Sequence, residues 1–323
     1  MSTMTSPELA ASARPLALIA GPTASGKSAI AVDLARALDA NGRSAVIVNA
    51  DSMQLYRDIP ILSAAPSKAE RAAIDHRLYG AWDGAEACSA AEWASRAKQE
   101  IAKAHEADMV PILVGGTGLY LKVLIEGIAP IPEIDAEVRR SVRILPVESA
   151  YTALTIEDPE RAAALEPGDS QRIARALEVK RSTGVTLSDW QRAKAGGIGD
   201  VIALHPLVLM PDRTWLYNRC EARFAQMVED GAIAEVEALL ARELAPDMPV
   251  MRAIGVPEIA AFLRGDTNRD AMIATGAQST RQYAKRQFTW LRSQAPDGWA
   301  RIENSDRKKH IDLIGEFASL LRK

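Results

Sequence analysis

The chain has 323 residues, 48% of them hydrophobic and 25% charged, with a net charge of −3. That balance describes an ordinary globular protein and excludes one that coats nucleic acid by bulk charge, while a local basic stripe stays compatible with an RNA enzyme. Two cysteines, Cys88 and Cys220, are too few for a disulfide framework or a zinc cluster, and every apolar run is of strand length, too short to cross a membrane. A reduced, cytoplasmic setting is therefore expected.

Residues 1–14 are rich in Ser, Thr and Ala without a continuous apolar segment, and read as a flexible tail, not a secretory signal. Pro15 to Ala20 (PLALIA) predicts a strand that stops at Gly21, and Ala24 to Asp39 a helix. Ala45 to Ala50 (AVIVNA) predicts a second strand and Val110 to Val114 (VPILV) a third, followed by Gly115-Gly116-Thr117-Gly118 and another helix. Strands alternating with helices imply an α/β fold: an open, P-loop NTPase-like parallel sheet with helices on both faces. From Ala129 to Gly199, Pro130, Pro132, Pro146, Pro159 and Pro167 separate short charged helical segments with no strand pattern. The expected organisation is a core of 15–128 and 205–323 interrupted by a helical insertion at 129–204. His205 to Leu209 returns to the sheet. Arg213 to Arg242 follows as a helix pair broken near Gly231, then helices at Asn268 to Arg292 and Ile311 to Leu321.

Gly21-Pro22-Thr23-Ala24-Ser25-Gly26-Lys27-Ser28 fits G-x-x-x-x-G-K-[ST] between a strand and a helix. The glycines let the backbone curl so that successive N–H groups face a phosphate. The helix N-terminus and Lys27 add positive charge, and the Ser28 hydroxyl is suited to Mg²⁺. The loop holds a phosphorylated ligand, a nucleotide such as ATP or another diphosphate, without saying which.

Asp51-Ser52-Met53-Gln54-Leu55-Tyr56-Arg57 follows the second strand, where a carboxylate lies across the cleft from the loop. It suits either a general base or the metal-organising aspartate of an ATPase. Gly115 to Tyr120, alone, reads as a tight turn feeding a helix.

Taken in order, GPTASGKS, DSMQLYR and GGTGLYL resemble the tRNA dimethylallyltransferases, or isopentenylpyrophosphate transferases, of the bacterial type. The resemblance continues through Gln171 to Lys180 (QRIARALEVK), Leu216 to Val236, Arg252-Ala253-Ile254-Gly255 and Thr280 to Arg292 (TRQYAKRQFTWLR), and so covers Pro15 to Arg292. Val256-Pro257-Glu258 departs from the aromatic and basic residues usual at that place, which puts one RNA contact in question.

The resemblance implies transfer of dimethylallyl from its diphosphate to the N6 amine of adenine 37, beside the anticodon. The phosphate loop would then cradle a leaving group, with Mg²⁺ as cofactor. Asp51 is implied as general base, with Thr23, Thr117 and Arg223 completing the catalytic set. A flipped-out base would meet Asp51, Ser52, Met53, Gln54 and Thr117. The tRNA anticodon stem-loop would meet Gln171, Arg172, Ile173, Ala174 and Arg175 on one helix, Arg139 in the insertion, and Arg281 and Lys285 late in the chain. The expected partners are tRNA and dimethylallyl diphosphate, with the protein acting as a monomer. Three alternatives stay open: an adenylate isopentenyltransferase, a small-molecule P-loop kinase, and a non-catalytic RNA-binding switch.

Overall fold

The structure is a computed structural model that describes residues 14–302 and 307–321. The expected tail lies outside these residues except for Arg14, which opens the first strand. Among the described residues the strands are β1 (Arg14–Ala20), β2 (Ala45–Asn49), β3 (His76–Arg77), β4 (Val110–Gly115), β5 (Gly127–Ile128), β6 (Ala195–Gly196), β7 (Ile202–Leu209) and β8 (Ala300–Ile302). Six form one sheet in the order β3-β2-β4-β1-β7-β8, with every neighbouring pair parallel. β3 and β8 are additions to the sequence reading: at two and three residues they are too short for a period to show.

Successive side chains of a strand point to opposite faces, so a sheet covered on both sides needs apolar residues throughout. β1 meets that demand, with Leu16 to Ala20 fully buried. Helix α1 (Lys27–Asp39) covers one face through Ile30, Ala31, Leu34 and Leu38, packed with Ala17, Ile19, Ile47 and Ile112. It starts three residues later than the expected Ala24, because Gly26 at φ 92 breaks the helical run. The short α2 (Lys68–Ala73) and the long α3 (Ala90–Glu106) both open on a capping box, Ser67 with Glu70 and Ser89 with Glu92. On α3, Trp93 is fully buried and stacks on Tyr120 with ring centroids 4.3 Å apart. Its indole N–H donates to the Asn49 carbonyl at 2.9 Å, which removes the penalty of burying that donor. Helix α4 (Gly118–Glu126) leaves β4 through the glycine turn.

The chain forms two compact units, one up to Leu124 and again from Gly199 onward, the other Ile125–Ile198. The inserted unit contains α5 (Ala136–Arg143), α6 (Val147–Glu157), α7 (Pro159–Ala163), α8 (Ser170–Thr183) and α9 (Leu187–Arg192). Val142, Leu154, Ile173, Ala176 and Leu177 form its own core. Glu178 is buried there, accepting from Arg143 Nε at 2.8 Å, with Arg175 Nη1 at 3.8 Å. The expected bounds of 129–204 are shifted at both ends. β5 and β6, which the sequence reading left out, pair antiparallel through Gly127↔Gly196 and Ile128↔Ala195. β7 begins at Ile202, three residues before His205, because it pairs with β1 along that strand's whole length from Arg14↔Ile202.

The second half of the core holds α10 (Arg213–Met227), a π turn with Gly231 at φ 109, and α11 (Ile233–Leu240), as the expected break requires. Helix α12 (Val256–Leu263) follows, then α13 (Arg269–Gln294), capped by Asn268, and α14 (Arg307–Leu320), four residues earlier than expected.

Candidate active site

The phosphate loop runs from β1 into α1 at the C-terminal edge of the sheet, where open α/β sheets bind ligands. Ala24 at φ 62 and Gly26 at φ 92 both take the left-handed conformation that curls it. The Ala24 carbonyl is held by Arg219 Nε at 2.9 Å, and the Arg219 guanidinium lies 4.7 Å over the Trp215 ring. Lys27 is buried, its ammonium donating to the Pro22 carbonyl at 3.3 Å. Burial lowers its pKa to about 8 against the pull of the Asp51 carboxylate, with a further push from Arg223.

Two backbone donors that were expected to face a phosphate do not. The Ser25 N–H closes a turn onto the Pro22 carbonyl at 3.3 Å, and the Thr23 N–H donates to Gln287 Oε1 at 2.7 Å. What remains is the start of α1, whose first N–H groups have no side-chain cap and therefore suit an anion. The Ser25 hydroxyl is buried and finds no hydrogen-bond partner among the described residues, which a phosphate oxygen would supply.

Asp51 stands opposite, just past β2. Buried Asn49 pins its main chain: Oδ1 accepts from the Asp51 N–H at 2.8 Å, and Nδ2 donates to the Asp51 carbonyl at 2.9 Å. The Asp51 carboxylate accepts from the Met53 N–H at 3.1 Å. Beside it, Thr117 Oγ1 accepts from the Ser52 N–H at 3.0 Å, and the Tyr283 phenol stands close to both side chains. Burial first, then the Asp51 charge, push that phenol's ionisation above its ordinary range.

Asp51, Ser52, Met53, Thr23, Arg223 and Tyr283 line one cavity of about 230 Å³. The rest of its lining is mixed: Ile59, Leu62, Phe224, Met227, Ala253 and Ile254 form an apolar wall, and Ser63, Arg252, Thr280 and Arg286 are polar. Phe224, Met227, Ala253 and Ile254 fall in blocks that carry the resemblance, but the sequence assigns none of them a wall, because its residues come from loops and helices spread along the chain. Glu235 fixes part of it by accepting from the N–H groups of Ile61 at 2.7 Å and Leu62 at 2.9 Å. A larger cavity of about 820 Å³ is lined by Ala24, Ser28, Arg57, Lys68, Arg71 and Arg219, and Arg223 and Met227 line both. Arg223 is thus placed between the phosphate loop and the apolar wall, its guanidinium pKa lowered chiefly by burial and raised by Asp51.

Other expected site residues fall elsewhere. Gln54 is buried and its amide donates to the carbonyls of Ser63 at 3.0 Å and Ala64 at 2.8 Å, so it braces the cavity loop and stands outside the cavity lining. Thr117 lies behind Ser52 and outside the cavity lining. Ile173 is fully buried in the core of the inserted unit, because it occupies the inward stripe of α8, so it is no RNA contact. Its neighbours Gln171 and Arg172 are exposed, and Ala174 and Arg175 half-buried. Arg139 is exposed, and with Arg143 its charge lowers the Arg175 pKa, an effect second to burial and to the opposing Glu178. Lys285 is exposed, whereas Arg281 is half-buried and paired with Glu221. The departure at Val256-Pro257-Glu258 has a structural use: the Glu258 carboxylate accepts from the Gly255 N–H at 2.9 Å and from the Ser279 hydroxyl at 2.7 Å, tying α12 to α13.

A phosphate loop facing a carboxylate across an apolar-walled cavity defines a P-loop protein built for group transfer, and the comparisons with known proteins narrow that class. The family model described as IPP transferase matches residues 54–294, and the chain belongs to that family. The tRNA dimethylallyltransferase of Erythrobacter litoralis is 61% identical over 303 residues, covering 94% of this chain and 96% of the relative. That of Novosphingobium aromaticivorans is 60% identical over 281 residues, covering 87% and 99%. Among solved structures, the tRNA isopentenylpyrophosphate transferase from Bacillus halodurans is 32% identical with a TM-score of 0.68, covering 95% of this chain and 96% of its own. A eukaryotic dimethylallyltransferase acting on tRNA shares the fold at a TM-score of 0.78 and 24% identity, covering 95% and 78%.

Proposed function

We propose that this protein transfers the dimethylallyl group of dimethylallyl diphosphate to the N6 amine of adenine 37, next to the anticodon of tRNA. The observation that carries the reading is one cavity that gathers Thr23 of the phosphate loop, Asp51 and Arg223, with the buried Lys27 ammonium electrostatically coupled to both charges. The near full-length similarity to tRNA dimethylallyltransferases supports it.

The N6 lone pair forms a bond to the allylic C1 while the C1–O bond breaks, and diphosphate leaves with the electron pair. Lys27, Arg223 and the α1 N-terminus stabilise the charge that builds on the departing oxygens. Asp51, held by Asn49 and Met53, takes the amine proton. Ile59, Leu62, Phe224 and Met227 keep water from the allylic carbon.

Mg²⁺ fits this site. Such an ion keeps few protein ligands and takes most of its oxygens from phosphate and water, and the Ser28 hydroxyl is exposed at the edge of the larger cavity. When bound, it would neutralise charge on the diphosphate.

The flipped base would rest against Ser52, Met53 and Tyr283. Gln171, Arg172, Arg175 and Arg139 on the inserted unit, with Lys285 on the core, would contact the RNA backbone. No described helix is long and apolar enough to cross a membrane. The reading takes the protein to work as a monomer in the cytoplasm.

The test is to incubate the protein with Mg²⁺, radiolabelled dimethylallyl diphosphate and either unmodified tRNA or AMP. Label is expected in tRNA at the adenine beside the anticodon. Label in AMP alone, or consumption of ATP without prenyl transfer, would overturn the reading.

A further inference from the structure

We propose that Gln287 is a positioning residue for the transfer, its carboxamide setting the phosphate loop against the Gly116-Thr117 turn. The role rests on the prenyl-transfer reading. Gln287 lies on the buried face of α13 at 5% exposure and lines neither cavity, so it acts through other residues.

Its two polar atoms face two different segments. Oε1 accepts from the Thr23 N–H at 2.7 Å, and Nε2 donates to the Gly116 carbonyl at 3.1 Å. Those segments follow β1 and β4, which are paired as far as Ala20↔Gly115. The Gly21 N–H still reaches the Gly115 carbonyl at 3.3 Å. Beyond that point the two chains separate, one into the phosphate loop and the other into the glycine turn. The carboxamide fills the gap with an acceptor on one side and a donor on the other. It is the next rung of the ladder, supplied by a side chain.

The fit leaves no slack. A Cβ on Gly116 would lie 2.4 Å from Gln287 Nε2 and 2.5 Å from the Gly21 carbonyl oxygen, so this glycine makes room for the carboxamide. The polarity is equally restricted. A carboxylate at the same place would set a negative charge against the Gly116 carbonyl, and a thioether would satisfy neither backbone group. What Gln287 holds is the spacing of two sides of one cavity. Thr23 lines it on the diphosphate side, and Thr117 fixes Ser52 beside Asp51 on the acceptor side. Misplacement by a fraction of an ångström between such groups is felt in turnover.

Gln287→Met and Gln287→Glu in the full chain test the role, read by inorganic pyrophosphate affinity, steady-state transfer and tRNA affinity. Met should lower kcat/KM for the donor on the order of ten- to a hundredfold, the consequence of two unsatisfied backbone groups, with tRNA affinity unchanged. Glu should behave like Met at neutral pH. A protonated carboxyl restores one acceptor and one donor, so the pyrophosphate affinity of the Glu variant relative to wild type should rise as pH falls. The Met ratio should stay flat. Wild-type behaviour of both variants, or identical pH dependence of the two, overturns the role. Loss of pyrophosphate and tRNA affinity together at every pH also overturns it, in favour of packing alone. Failure of the wild-type protein to bind pyrophosphate or transfer label would instead count against the prenyl reading.

Discussion

Asp51 and Lys27 face each other across the cleft, and their environments set what each does. The Asp51 main chain is held by Asn49, and one carboxylate oxygen takes the Met53 N–H. Asn at this position preserves that acceptor but removes the proton-accepting charge. Asp51→Asn is therefore expected to lower transfer about 10²- to 10⁴-fold, the usual worth of a general base. tRNA affinity, measured by filter binding, should stay within a few-fold. Lys27 behaves oppositely to an exposed lysine, because burial holds its pKa near 8. A bound diphosphate favours the ammonium and raises that pKa. The Lys27 contribution to pyrophosphate affinity should thus be full below pH 8 and fall as pH rises through 8, where calorimetry should record proton uptake on binding. Lys27→Met should remove that proton uptake along with much of the affinity.

At the scale of elements, α10 and α13 are pressed together where the cavity ends. Gly276 on α13 faces the Phe224 ring, and a Cβ there would lie 2.0 Å from its Cζ. Gly276→Ala should cost about 1–3 kcal/mol of stability, as over-packing does, measured by urea unfolding. Phe224→Leu in the same chain should recover part of the loss. Such packing also explains what the sequence conveyed and what it did not. β1, β2 and β4 are legible because buried parallel strands are continuously apolar, and GPTASGKS is legible because its glycines serve local backbone geometry. The cavity wall was hidden, since Ile59, Phe224 and Ile254 look like any core residues until the fold gathers them. Ile173 was misread for the opposite reason. It sits in a block that carries the family resemblance, but its own side chain points into the core of the inserted unit. Gln287 was overlooked because one polar residue among the charges of a long helix has no local signal. Its meaning lies 171 residues away, at Gly116.

In the whole molecule, the sheet-bearing unit holds both cavities and every group assigned to the chemistry. The inserted unit has its own core, with Arg143 and Arg175 on buried Glu178 and the Arg139 charge felt at Arg175. Replacing residues 127–196 with a short glycine-rich linker is expected to leave a folded core with wild-type pyrophosphate affinity and at least tenfold weaker tRNA binding. The tRNA loss should become smaller as salt is raised, since phosphate contacts fade with ionic strength. Undiminished tRNA binding by the shortened chain would remove the inserted unit from the RNA interface.

The β5–β6 pair bears on how such a protein could change over time. Gly127 and Gly196 meet in one antiparallel rung, and a Cβ on Gly197 would lie 2.4 Å from the Ile125 carbonyl oxygen. The inserted unit thus begins and ends on one close antiparallel rung. A segment joined in that way is a cassette: its length and surface can drift, or be exchanged wholesale, while the strands on either side keep their register. On the proposed reading, in which the inserted unit meets the RNA, recognition of the acceptor then diversifies at a pace independent of the bond-making step.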